Sequence, residues 1–162
     1  TNNQTIYNEV LEEICKISFY SKIKDSDKYF LNIIELLKNK SINLGKITEL
    51  AFIYFVEKYL DIDFKLSIYY CQEGIKYLPN SYILNIKFAE ILLDKDDSIS
   101  ENFLKNSFSL KKEYKNQDKH ILLLTYLSLK KGNLEIYNKY YSLLNIYSRN
   151  IIKEIKKNIN SF

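Results

Sequence analysis

Three carboxylates within four residues, Asp94, Asp96 and Asp97, are the nearest thing in this chain to a metal site, and they have the spacing that opens a calcium-binding loop. Such a loop also needs a glycine at its sixth position for the sharp turn and a bidentate acid at its twelfth. Those positions hold Ile99 and Lys105, so the trio reads as a solvated helix end. His120 is the only imidazole, and no Cys, Ser or carboxylate partner is placed for it. A general base requires a neighbour within hydrogen-bond reach and a third group to orient it. Cys15 and Cys71 lie far apart in apolar stretches, without CxxC spacing and with no His nearby, the pattern of small buried hydrophobes. No catalytic, cofactor-binding or metal-binding set emerges, and the chain is expected not to be an enzyme.

Aromatics interleaved with lysine can stack nucleic-acid bases, and there are fifteen Tyr. Phosphate binding, however, requires clustered cations. Here 24 basic residues are dispersed among 20 acidic ones for a net charge of +4. Tyr69, Tyr70, Tyr77, Tyr140 and Tyr141 also fall on helices where core or rim packing is the expected use. A helical nucleic-acid binder is therefore the alternative reading, not the leading one.

The elements that carry these residues are helical. With 46% hydrophobic residues, three Gly and one Pro, the composition is that of a helical globular protein. The longest apolar runs, Ala51 to Val56 and Ile121 to Leu124, fall far short of the roughly 20 residues needed to span a bilayer, so no membrane insertion by this segment is expected. Asp27, Asp63, Asp97 and Asn133 recur at intervals of 36, 34 and 36 residues, each ahead of an apolar-periodic stretch. Short oxygen-bearing side chains accept from the free amides of a first helical turn, at about 1 kcal/mol each. Their regular recurrence predicts a solenoid of antiparallel helical hairpins, in which stacking makes the core.

The reading gives eight helices in four hairpins. The first spans Thr5 to about Lys22 and the second about Lys28 to Lys38. After a break at Ser41 to Gly45 come Lys46 to Leu60 and Phe64 to Leu78, the latter stopped by Pro79. Asn80 or Ser81 caps the fifth, which ends near Asp94. Ser98 and Glu101 have capping-box spacing for the sixth. The seventh starts near His120 and ends at Lys131 and Gly132. Asn133 opens a last helix that meets no Gly or Pro and is expected to run unbroken to about Asn158.

Ile47, Leu50, Ala51 and Tyr54, followed by Ser67, Cys71, Gly74 and Pro79, resemble the two-helix signature of the tetratricopeptide repeat (TPR). Phe88, Ala89 and Leu92 with Ser100, Leu104 and Ser107 repeat it, as do Ile121, Leu124, Thr125 and Ser128 ahead of Gly132 and Asn133. Asp61 to Asp63 in place of a glycine turn, and Tyr137 and Leu144 in normally small slots, depart from it. In the first hairpin only Leu11, Ile14 and Cys15 fit. The resemblance implies one all-α, TPR-like domain over 1–162, with a degenerate hairpin over 1–45, TPR-like hairpins over 46–147 and a C-terminal helix extension over 148–162. It also implies that Gly74, Ala89 and Ser107 sit where helices approach closely.

On that pattern the first helices face a concave groove that takes a segment of a partner protein. The groove residues would be Phe52, Phe55, Ile83, Ile86, Glu90, Leu122, Tyr126 and Leu129. The Lys and Asn with which some members of the family clamp a terminal carboxylate have no counterpart here, where Thr48, Phe52, Lys87 and Glu90 occupy that surface. The chain begins at Thr1 and holds no Met, so it reads as a fragment of a longer chain. The expectation is a scaffold of the bacterial cell envelope, anchored through a missing N-terminal segment, with a purely structural domain as a further alternative. Heavy use of Lys, Asn, Ile and Tyr points to an AT-rich genome.

Overall fold

The computed structural model describes Glu13 and residues 26–39, 45–110 and 118–159. All the regular secondary structure among the described residues is helical: α1 (Ser26–Lys38), α2 (Gly45–Tyr59), α3 (Phe64–Tyr77), α4 (Tyr82–Leu92), α5 (Asp97–Ser109), α6 (Asp118–Lys130), α7 (Leu134–Leu143) and α8 (Ile146–Ile159). The helix expected over Thr5 to Lys22 lies outside the described residues except for Glu13, which is helical. The chain divides into two compact units, Thr1–Leu84 and Asn85–Phe162, with the division in the first turn of α4.

In the first unit α2 packs against both α1 and α3. A helix used on two sides cannot keep a narrow apolar stripe, and α2 buries Ile47, Ala51, Phe52, Ile53, Phe55 and Val56, which cover most of its circumference. Asp63 caps α3, accepting from the Leu66 amide at 3.1 Å. Pro79 acts one residue upstream, as pre-proline sterics require: Leu78 leaves helical angles (φ −127°, ψ 64°) while its amide still reaches the Gly74 carbonyl at 2.8 Å. Of the two expected caps for α4, Ser81 serves, its hydroxyl accepting from the Leu84 amide at 3.1 Å. Gly74 sits at a close helix crossing. A Cβ there would lie 2.9 Å from Phe52 Cγ and 3.0 Å from Leu84 Cδ1, inside van der Waals contact.

In the second unit α6 packs against α5, α7 and α8. Ala89, Leu104, Leu124 and Leu127 form one buried cluster, and Ile121, Tyr137, Leu144 and Ile152 form another. Two expectations are corrected here. The cap of α5 is Asp96, accepting from the Ile99 amide at 3.0 Å; it is neither Asp97, the first helical residue, whose carboxylate accepts from the Asp94 amide at 2.9 Å, nor a Ser98–Glu101 box, whose serine lies inside the helix. The last helix is also not continuous. α7 ends at Leu144 in an extended conformation (φ −72°, ψ 147°), and the Asn145 side chain then accepts from the Ser148 amide at 2.8 Å to start α8. Burying Leu144 in the core turns the chain, and the asparagine after it supplies the cap.

The turn into α7 is as expected. Gly132 takes the left-handed conformation at φ 68°, with the Asn133 amide reaching back to the Ser128 carbonyl at 3.0 Å, and Asn133 then caps α7. One hydrogen bond recurs between helix pairs. Ser67 donates to the Val56 carbonyl at 2.9 Å and Ser100 to the Ala89 carbonyl at 2.7 Å, each across 11 residues and each with its serine wholly buried. A small hydroxyl on the second helix that bonds the first helix's backbone lets the pair approach closely while leaving no polar atom unsatisfied.

Candidate functional site

The eight expected contact residues do not share one environment. Phe52, Phe55 and Ile86 are 0, 1 and 8% exposed, so their side chains are packed in the interior of this structure. Phe52 stands against Gly74, where the missing Cβ makes room for its ring. Phe55 is stacked on Tyr70 at 4.5 Å and met edge-on by Tyr54 at 5.2 Å. The family pattern assigned both to an open face, but α2 is covered on more than one side. Ile83 remains half-buried, as does Glu90, which is paired with Lys119 and Lys87.

Leu122, Tyr126 and Leu129 are the remainder. They follow one another on α6 at steps of four and three, one face of a helix, and each is half-buried against the cluster of Ile121, Tyr137, Leu144 and Ile152. Their inner surfaces are core and their outer surfaces meet solvent. The Tyr126 hydroxyl donates to Asp94 at 2.8 Å, and Lys130, one turn on, bridges Asp94 at 2.7 Å and Asp97 at 2.6 Å. The Lys130 bond first, and then that of Tyr126, hold the Asp94 carboxyl below its ordinary value. Burial, followed by the bond to Asp94, pushes the Tyr126 phenol up. Asp94 adopts a left-handed backbone (φ 65°), a conformation that costs a non-glycine residue energy and is offset here by these contacts.

The first unit carries the same arrangement. Tyr54 donates to Asp27 at 2.8 Å, and Lys58, four residues on, forms an ion pair with the same carboxylate. Lys58 is again the main influence lowering the Asp27 carboxyl, while burial and then the Asp27 bond push the Tyr54 phenol up to about 12. Sequence reading missed both clamps. The available signal was Tyr-x-x-x-Lys at 54 and 58 and again at 126 and 130, 72 residues or two periods apart, but the Asp partners stand 27 and 32 residues upstream of the tyrosines.

The residues first weighed for chemistry have other employment. Asp94 and Asp97 bind Lys130, and Asp96 is a helix cap. His120 is buried in the first turn of α6. Cys71 is buried with its thiol directed at the Leu84 carbonyl, 3.5 Å away, and Cys15 lies outside the described residues. No helix among the described residues is long and apolar enough to cross a membrane. The chain matches no protein-family model, no curated protein and no solved structure.

Proposed function

We propose that this chain is a non-enzymatic protein-interaction module of TPR-like helical hairpins, and that it receives an extended or helical segment of a partner protein on the outer face of α6. One observation carries the reading: after folding, Leu122, Tyr126 and Leu129 lie on a single helical face and each keeps part of its surface open to solvent. Stripes of this spacing complement a partner's own apolar periodicity. Tyr126 is the expected anchor. Its ring loses little conformational entropy on binding, and its hydroxyl is already fixed by Asp94.

A photo-crosslinking residue at Leu129, compared with one at the exposed Gln72 of α3, tests the assignment and identifies the partner segment. Calorimetry of that segment against Tyr126→Ala, with folding verified, should show a loss of about 2 kcal/mol in affinity. Crosslinks of equal yield from position 72, or unchanged affinity for the variant, would remove α6 from the account.

A further inference from the structure

The corner between α7 and α8 is held firmly yet presents large apolar groups to water. The Asp118 carboxylate accepts from the Asn145 amide at 3.2 Å and from the Ser148 hydroxyl, tying the corner to the start of α6, and Leu144 is buried beneath it. On either side Leu143, Ile146 and Tyr147 are 55, 79 and 75% exposed. Contiguous apolar groups displayed on a fixed turn mark a contact surface.

The charge beside them indicates what that contact is. Ile146, Asn150, Lys153 and Lys157 succeed one another at steps of four, three and four, so the apolar tip runs into a lysine-bearing face of α8. Lys157 pairs with Glu154, Lys156 lies over the Tyr137 ring, and Lys153 is exposed on the same face of α8 as Ile146. From Leu134 to Ile159, five basic side chains face two acidic ones, an excess of three positive charges. An apolar tip flanked by cations matches the boundary between acyl chains and anionic headgroups.

We propose that the α7–α8 corner docks this chain peripherally on an anionic lipid surface, with Ile146, Tyr147 and Leu143 entering the headgroup layer and Lys153 meeting lipid phosphate. A nucleic acid would use the cations but leave the exposed aliphatic groups without a role. The inference is independent of the α6 stripe.

Co-sedimentation of the whole chain with vesicles tests it, comparing phosphatidylcholine alone with phosphatidylcholine mixed with phosphatidylglycerol. The chain is expected to bind the mixed vesicles and not the neutral ones, with binding weakened by salt. Lys153→Ala should weaken it about fivefold. Ile146→Ser combined with Tyr147→Ser should weaken it about tenfold or more. Ile62→Ser, which removes an equally exposed isoleucine of the first unit, should change nothing. Circular dichroism confirms that each variant is folded. Absence of binding, equal binding to neutral vesicles, an equal loss in Ile62→Ser, or displacement from the mixed vesicles by single-stranded DNA at stoichiometric amounts would each overturn the proposal.

Discussion

The two units use the same local devices around different cores. In the first, aromatic rings fill the space: Phe30 stacks on Tyr54 at 4.3 Å, Phe55 on Tyr70 at 4.5 Å, and Tyr59 on Tyr70 at 5.8 Å. In the second the clusters are mainly aliphatic, around Leu104, Leu124, Leu127 and Ile152, with the hydroxyls of Ser100, Thr125 and Ser128 turned onto backbone carbonyls. Large flat rings need a gap to close over, and Gly74 provides it. Branched aliphatic groups interlock at a crossing where Ala89 suffices.

Core truncations should have the largest effect in both units. Phe55→Ala removes a ring with three aromatic neighbours and should cost about 3–5 kcal/mol, while Leu104→Ala should cost about 2–5 kcal/mol, both read from urea unfolding. A cost near zero for either would show that its cluster is not a core. Next come the small residues. Gly74→Ala should cost about 1–3 kcal/mol, because the new methyl meets Phe52 Cγ in a packed interior. A gain in stability, as expected when glycine is replaced in an uncrowded helix, would mean that the crossing is looser than described. Ser67→Ala and Ser100→Ala should then cost similar amounts, about 1 kcal/mol each, since each removes one buried bond of the same geometry. Unequal costs would break the parallel between the two helix pairs.

The clamps should give the smallest effects. Asp27→Asn and Asp94→Asn each remove a partly exposed ion pair while keeping a hydrogen-bond acceptor, and Asn tolerates the left-handed backbone at 94. Each should cost less than about 1 kcal/mol, as solvent-screened pairs do. The pH dependence has a definite sign. Both carboxyls are lowered in the folded state, so their stabilisation is present above the ordinary carboxylate value and is lost as pH falls through the lowered folded one. Acid unfolding of either Asn variant should therefore be shallower than that of the parent chain. An unchanged acid midpoint and slope in both would remove the clamps from the stability of the fold.

Much of the helical punctuation was legible because it is local. Asp63, Ser81 and Asn133 cap helices through side-chain bonds three residues ahead, Pro79 acts on Leu78, and Gly132 takes the positive φ that suits it. Gly74 was also legible, since a small residue in a helix-pair pattern has one main use. What was not legible depends on the third dimension. The burial of Phe52 and Phe55 follows from how many neighbours α2 has; the apolar residues round most of that helix were the available signal, and the repeat pattern, which assigns one face to a groove, pointed the other way. The break at Leu144 arises because one leucine is drawn into a core, and an asparagine in a Lys- and Asn-rich sequence gives little warning of a cap. Asp96 took the place of the expected Ser98–Glu101 box because the helix starts at Asp97, in a run of Asp94, Asp96, Asp97 and Ser98 where the sequence offers several caps side by side.

The separation of core from contact residues among the eight expected groove positions is tested most directly by the urea midpoints of Phe52→Ala and Tyr126→Ala, measured side by side. Phe52 is completely buried against Gly74, so its truncation should cost about 3–5 kcal/mol, whereas Tyr126 keeps a solvent-facing side and should cost clearly less. A Phe52→Ala midpoint equal to that of the parent chain would contradict the account and return that ring to the binding surface.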